Sequence, residues 1–143
     1  LPTVSPSLSR GTRKALMPPF RAAAITLLAL FGAAALFQFA VLAGLIPIGM
    51  VWGGRLQSED QRIAGALVSI SVLVLAARTV RVRMAHSDAS APAWARWGVW
   101  GICALFALNT IGNLFALDLR ETLLFTPVTF IAAALAARVA AGE

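Results

Sequence analysis

The strongest constraint in this chain is an unbroken apolar run from Ala22 to Leu45, in which Gln38 is the one strongly polar member. An α-helix rises about 1.5 Å per residue, so about 20 apolar residues cross a hydrocarbon core of about 30 Å. The run is longer than the roughly 7–15-residue apolar segment of a signal peptide, and further apolar segments follow it. It therefore reads as a membrane-spanning helix. Three more runs of similar character occupy Ile63 to Val80, Trp97 to Leu117 and Thr122 to Val139. Pro47 and Gly49 end the first run, and the four residues Asp118 to Glu121 are all that separate the third from the fourth.

The pattern predicts an all-α fold, a four-helix transmembrane bundle running up-down-up-down, with spans at about 22–45, 63–80, 97–117 and 122–139. Residues 22–143 form one domain. Residues 1–21 read as a disordered basic tail, rich in Pro and Ser, with Met17 ahead of Pro18 and Pro19 as an alternative start. Pro127 removes a backbone donor from the fourth span, and a kink near Thr126 is expected.

Composition excludes the other classes. Only 13% of the residues are charged and 59% are hydrophobic. An ordinary soluble domain carries about 25% charged residues, and this chain has too few to cover a water-facing surface. Cys103 and His86 are each single, so no intrachain disulfide and no His/Cys metal site can form, and no cofactor is expected.

The net charge of +6 is explained by topology rather than by nucleic acid, which is not an expected partner. Cytoplasmic loops carry excess Lys and Arg. With the N-terminus inside, Arg10, Arg13, Lys14, Arg21, Arg78, Arg81, Arg83, Arg96 and Arg138 fall inside, and only Arg55, Arg62 and Arg120 fall outside. Four spans return the C-terminus to the cytoplasm. The bilayer itself, and anionic inner-leaflet lipid in particular, is then the expected partner. Trp94, Trp97 and Trp100 cluster at the inner entrance of the third span and Trp52 lies in the outer loop, as interfacial anchors do.

The polar side chains within the spans gather toward the outer side. Asn109 and Asn113 are four residues apart, so they share a helix face with Ile102, Leu105, Gly112 and Ala116. Gln38, Thr126 and Thr129 lie in the outer halves of their helices. Two arrangements fit. In one, Gln38, Asn109, Asn113 and Thr126 line a polar pocket open to the outside and lidded by Gly53, Gly54 and Arg55. In the other, Asn109 and Asn113 bond Gln38 and Thr126 across helices as interhelical glue. Adjacent glycines also mark a plain turn, and Arg55 has Glu59 or Asp60 in its own loop, or Glu121 in the other outer loop, as candidate counter-ions. Alanines at 132, 133, 136 and 137, and Ala40 with Gly44, have the spacing of tight packing faces, within the bundle or in a homodimer.

No Asp, Glu, Lys or His lies deep in a span. This argues against the small multidrug-resistance exporters, which depend on a membrane-embedded Glu, and catalytic sets such as Ser-His-Asp or CxxC are missing. Through IPIGMVWGGRL and LNTIGNLFALDLRETLLFTP, about a quarter of the chain, the sequence resembles a family of small four-span bacterial integral membrane proteins without an assigned function. That resemblance implies the layout and a bacterial inner-membrane location. It carries no catalytic residues.

The expected function is non-enzymatic: an outward polar pocket that binds or passes a small molecule or lipid. The alternative is an accessory subunit of a larger membrane complex, packing through its small-residue faces. A third is an enzyme using Asp118, Arg120 and Glu121 at the outer interface. The orientation has a direct check. A Ser58→Cys variant should react with an impermeant thiol reagent from the periplasmic side only, and labelling from the cytoplasmic side would reverse the assignment.

Overall fold

The structure is a computed structural model that describes residues 18–86 and 90–142. The basic tail with Arg10, Arg13 and Lys14, and the alternative start at Met17, lie outside the described residues. Those residues form four α-helices: α1 Phe20–Leu42, α2 Glu59–Ala85, α3 Ala93–Leu114 and α4 Leu119–Ala141. Two 3-10 turns, Ile48–Met50 and Trp52–Gly54, lie between α1 and α2. Among the described residues there is no strand, and all four helices are long and apolar enough to cross a membrane.

The helices run past the apolar stretches that define the spans. Phe20 and Arg21 belong to the first turn of α1 rather than to a tail, and Arg78, Arg81 and Arg83 extend α2. α4 continues through Pro127 as one helix.

Inside, small side chains let the helices approach. Ala23, Ala24, Ala76, Ala132 and Ala136 are buried with Leu27, Phe31, Val80 and Val99 in the main core. Ala132, Ala133 and Ala136 of α4 therefore face inward, within the bundle. Outside, large apolar residues such as Leu36, Leu108 and Phe130 are exposed, as a lipid-facing surface requires. Phe31 of α1 stacks on Phe106 of α3 at 5.5 Å, and Phe37 of α1 meets Phe125 of α4 edge-on at 5.0 Å. A smaller core of Val41, Val51 and Ala66 closes the end where the α1–α2 and α3–α4 connections meet. We call this the connection end; the other end holds both termini of the helical domain.

Each helix must dispose of its last carbonyls, which have no partner inside the helix. α1 does so partly through its own backbone. Leu45 N donates to Ala40 O at 2.9 Å and Gly44 N to Val41 O at 3.0 Å, with Gly44 at φ 76°. This is the Schellman arrangement, and it needs the left-handed residue that glycine supplies. Arg62 of α2 completes the end. Its guanidinium, only 8% exposed, donates to Val41 O and to Leu42 O at 3.2 Å while pairing with Glu59.

Arginines meet the other three ends as well. Arg83 reaches His86 O beyond α2 at 2.8 Å and lies 5.3 Å from the centre of the Phe20 ring. Arg55 approaches Phe115 O at the end of α3, and Arg138 binds Gly142 O beyond α4. Arg138 also holds Pro18 O at 3.1 Å, tying the start of α1 to the end of α4.

Replacing Arg62 by Met keeps the aliphatic stem but strands the Leu42 carbonyl and leaves Val41 O with Gly44 N alone. It should lower bundle stability by about 2 kcal/mol, the range for a lost charged hydrogen bond. Unfolding in detergent micelles measures it, and an unchanged midpoint would show that the cap is dispensable.

Candidate functional site

The loop after α1 is shaped by its glycines. Gly53 and Gly54 both have φ near 71°, and a side chain on Gly54 would crowd Gly49 O at 3.2 Å and Leu117 Cβ at 3.3 Å. Trp52 also takes a positive φ of 54°. Its indole lies over Gly65 of α2, where a Cβ would come within 2.7 Å of Nε1. The loop is thereby pressed onto α2 and against the α3–α4 connection.

Gly53 makes that junction with both of its backbone groups. Its N–H donates to Glu121 Oε1 at 2.8 Å, and its carbonyl accepts from Leu117 N at 3.1 Å. Glu121 is 5% exposed in the first turn of α4, and its Oε2 is buried with no hydrogen-bond partner. The charges of Asp118 and Arg55 act on it with opposite sign. Asp118 itself caps α4, its Oδ1 accepting from Arg120 N at 2.8 Å. At the start of α2, Ser58 Oγ accepts from Gln61 N at 3.3 Å, and Gln61 Oε1 accepts from Gln57 N at 2.8 Å. The Arg120 side chain is exposed and takes no part.

The structure thus joins two groups of residues that the sequence left apart. Gly53, Gly54 and Arg55, read as a lid, and Asp118 and Glu121, read as interfacial charges, form one assembly. Both carboxylates hold chain: one caps a helix and the other anchors the loop.

The span amides part company. Asn113 is half-buried and its Nδ2 lies 3.3 Å from Thr129 Oγ1, which also accepts from Thr110 Oγ1 at 2.9 Å. Thr122 Oγ1 donates to Asn113 O at 2.8 Å. α3 and α4 are sewn together by these groups, so the partner of Asn113 is Thr129 rather than Thr126 or Gln38. Asn109 does not join them. It is exposed, and its side chain bonds nothing among the described residues. The inward stripe of α3 runs through Val99, Ile102, Phe106, Thr110 and Asn113. At 100° per residue, Asn109 falls just past its edge, on the flank of Gly98 and Leu105. The expectation that both amides point into the bundle therefore holds for Asn113 alone.

Gln38 Oε1 and Thr126 Oγ1 are buried without partners, like Glu121 Oε2. Gln38 adjoins Phe37 and Thr126 adjoins Phe125, the ring pair where α1 meets α4. Sequence reasoning missed Arg62 as a buried cap and Thr129 as the hub of the α3–α4 cluster. The Ser58–Gln61 spacing, a Ser followed three residues later by Gln, is a helix-start signal that was legible.

Among the described residues, no three His, Cys, Asp or Glu side chains gather as metal ligands. Comparison with protein-family models, with curated proteins and with solved structures finds no match to this chain.

The Gly53–Glu121 bond should govern exchange of the Gly53 amide. Glu121→Ala removes the acceptor and should speed that exchange about 5- to 30-fold, while Glu121→Gln retains an acceptor oxygen and should leave it slow. Hydrogen–deuterium exchange reads the difference, and equal rates in all three proteins would mean the bond carries no load.

Proposed function

We propose that this chain is a non-enzymatic integral membrane protein whose connection end faces outward and holds a small molecule bearing hydrogen-bond donors. One observation carries the reading: Gln38 Oε1, Glu121 Oε2 and Thr126 Oγ1 are all buried and unpartnered. A polar atom hidden in this way costs about 1–3 kcal/mol, so three of them call for a partner the chain does not supply. A carboxylate and an amide oxygen only accept, and a hydroxyl can. The complementary ligand therefore donates, as a small ammonium or a polyhydroxylated molecule does.

The lid is the loop from Gly53 to Arg55, fastened to Glu121. Asn113, with its amide engaged by Thr129, and Asn109, on the outer surface, stand apart from this site.

Orientation follows the basic residues. Arg21, Arg78, Arg81 and Arg96 are exposed at the terminal end. That end belongs in the cytoplasm of a bacterial cell, against anionic inner-leaflet lipid. The bundle then runs up-down-up-down in the plasma membrane with both termini inside.

Cysteine access tests the site. Thr126→Cys in a Cys103→Ser background should react from the outside with trimethylammonium-ethyl methanethiosulfonate, a small impermeant cation. Adding Glu121→Gln should slow that reaction by removing the attracting charge. A folded Thr126→Cys protein that resists the reagent would remove the outward site.

A further inference from the structure

We propose that the open flank of α3 is where a second copy of this chain docks, with Asn109 pairing with Asn109 of the second copy across a two-fold axis along the membrane normal. This is independent of the polar site at the connection end.

Helices α2 and α3 approach closely at Gly98. A Cβ on Gly98 would come within 2.8 Å of Thr79 Cγ2. On the outward side of α3 there is open space, and a Cβ on Gly101 or Gly112 would meet nothing within 4 Å. A shallow apolar groove of about 220 Å³ occupies the seam, lined on the α3 side by Gly98, Gly101, Ile102 and Leu105. Asn109 stands one turn beyond Leu105 on the same flank and Gly112 follows it. Twelve residues separate Asn109 from the interfacial Trp97, about 18 Å along the axis, which puts the amide near mid-bilayer.

Acyl chains offer that amide neither donor nor acceptor. The flank from Gly98 to Gly112 carries no charged residue, so an ionic partner gains nothing there. Glycines at 101 and 112 leave room for another backbone. A primary amide is complementary to itself, donating through Nδ2 and accepting through Oδ1. All copies of a multi-span protein share one orientation, so a second copy brings its own Asn109 to the same depth without further adjustment. A two-fold interface needs just this, the same patch on both partners. The amide of α3 that faces inward is already satisfied by Thr129, which leaves Asn109 as the group requiring an intermolecular partner.

Resonance energy transfer between labelled copies, diluted stepwise in phosphatidylcholine–phosphatidylglycerol vesicles, tests the proposal. The unaltered protein should transfer energy above random proximity. Asn109→Leu should weaken association roughly three- to thirtyfold, the range for one amide contact in a bilayer, and Asn109→Gln should weaken it less. Because Asn109 bonds nothing within its own bundle, Asn109→Leu should leave the unfolding midpoint of the dispersed monomer in place. As a second measurement that spares the amide, Leu105→Cys in a Cys103→Ser background should form a symmetric disulfide between copies under mild oxidation. Energy transfer at the random level for the unaltered protein, association indifferent to Asn109→Leu, or no crosslink through position 105 would each overturn the proposal. Association only with a different membrane protein would do the same.

Discussion

A helix end leaves carbonyls that have no partner inside the helix, and the architecture of this protein is organised around that problem. Every one of the four helices finishes against an arginine: Arg62 for α1, Arg83 for α2, Arg55 for α3 and Arg138 for α4. A guanidinium suits the task because it spreads five donors over a plane and keeps its charge, which also favours the negative end of the helix dipole. Two of these arginines serve their own helix. Arg62 and Arg55 serve another, and so double as ties between elements. The small number of charged residues is thus concentrated at helix ends and loops, where it does structural service.

The four spans were legible because the requirement for about 20 apolar residues is a one-dimensional property of the sequence. Which face of each span turns inward was not. Soluble helices announce their buried side by polarity, but here both sides are apolar, and the difference is one of size. The alanines at 132, 133 and 136 have the spacing of a packing face, and periodicity alone cannot say whether that face meets a neighbour in the bundle or another chain. The structure places them inside.

The two asparagines of α3 make the same point more sharply. A separation of four residues puts Asn109 and Asn113 only about 40° apart. The edge of the helix contact nevertheless passes between them, leaving one amide bonded to Thr129 and the other exposed. Likewise, the glycine loop after α1 and the acids at the start of α4 were each visible as local sequence, whereas their union through Gly53 and Glu121 spans 68 positions. Local capping signals such as Ser58 and Asp118 are written within a few residues. Arg62, which reaches back some 20 residues to α1, left no local trace.

That long-range union sets an order on biosynthesis. Both backbone groups of Gly53 are satisfied by residues far downstream, Leu117 and Glu121. As the chain emerges from the ribosome, the first helical hairpin can enter the bilayer and Arg62 can close α1, yet its connecting loop still has a donor and an acceptor without their final partners. Only when the last helix arrives does that loop take its settled form. The cap at the connection end is therefore the final piece of the molecule to mature, and its completion reports that all four segments have been threaded into place.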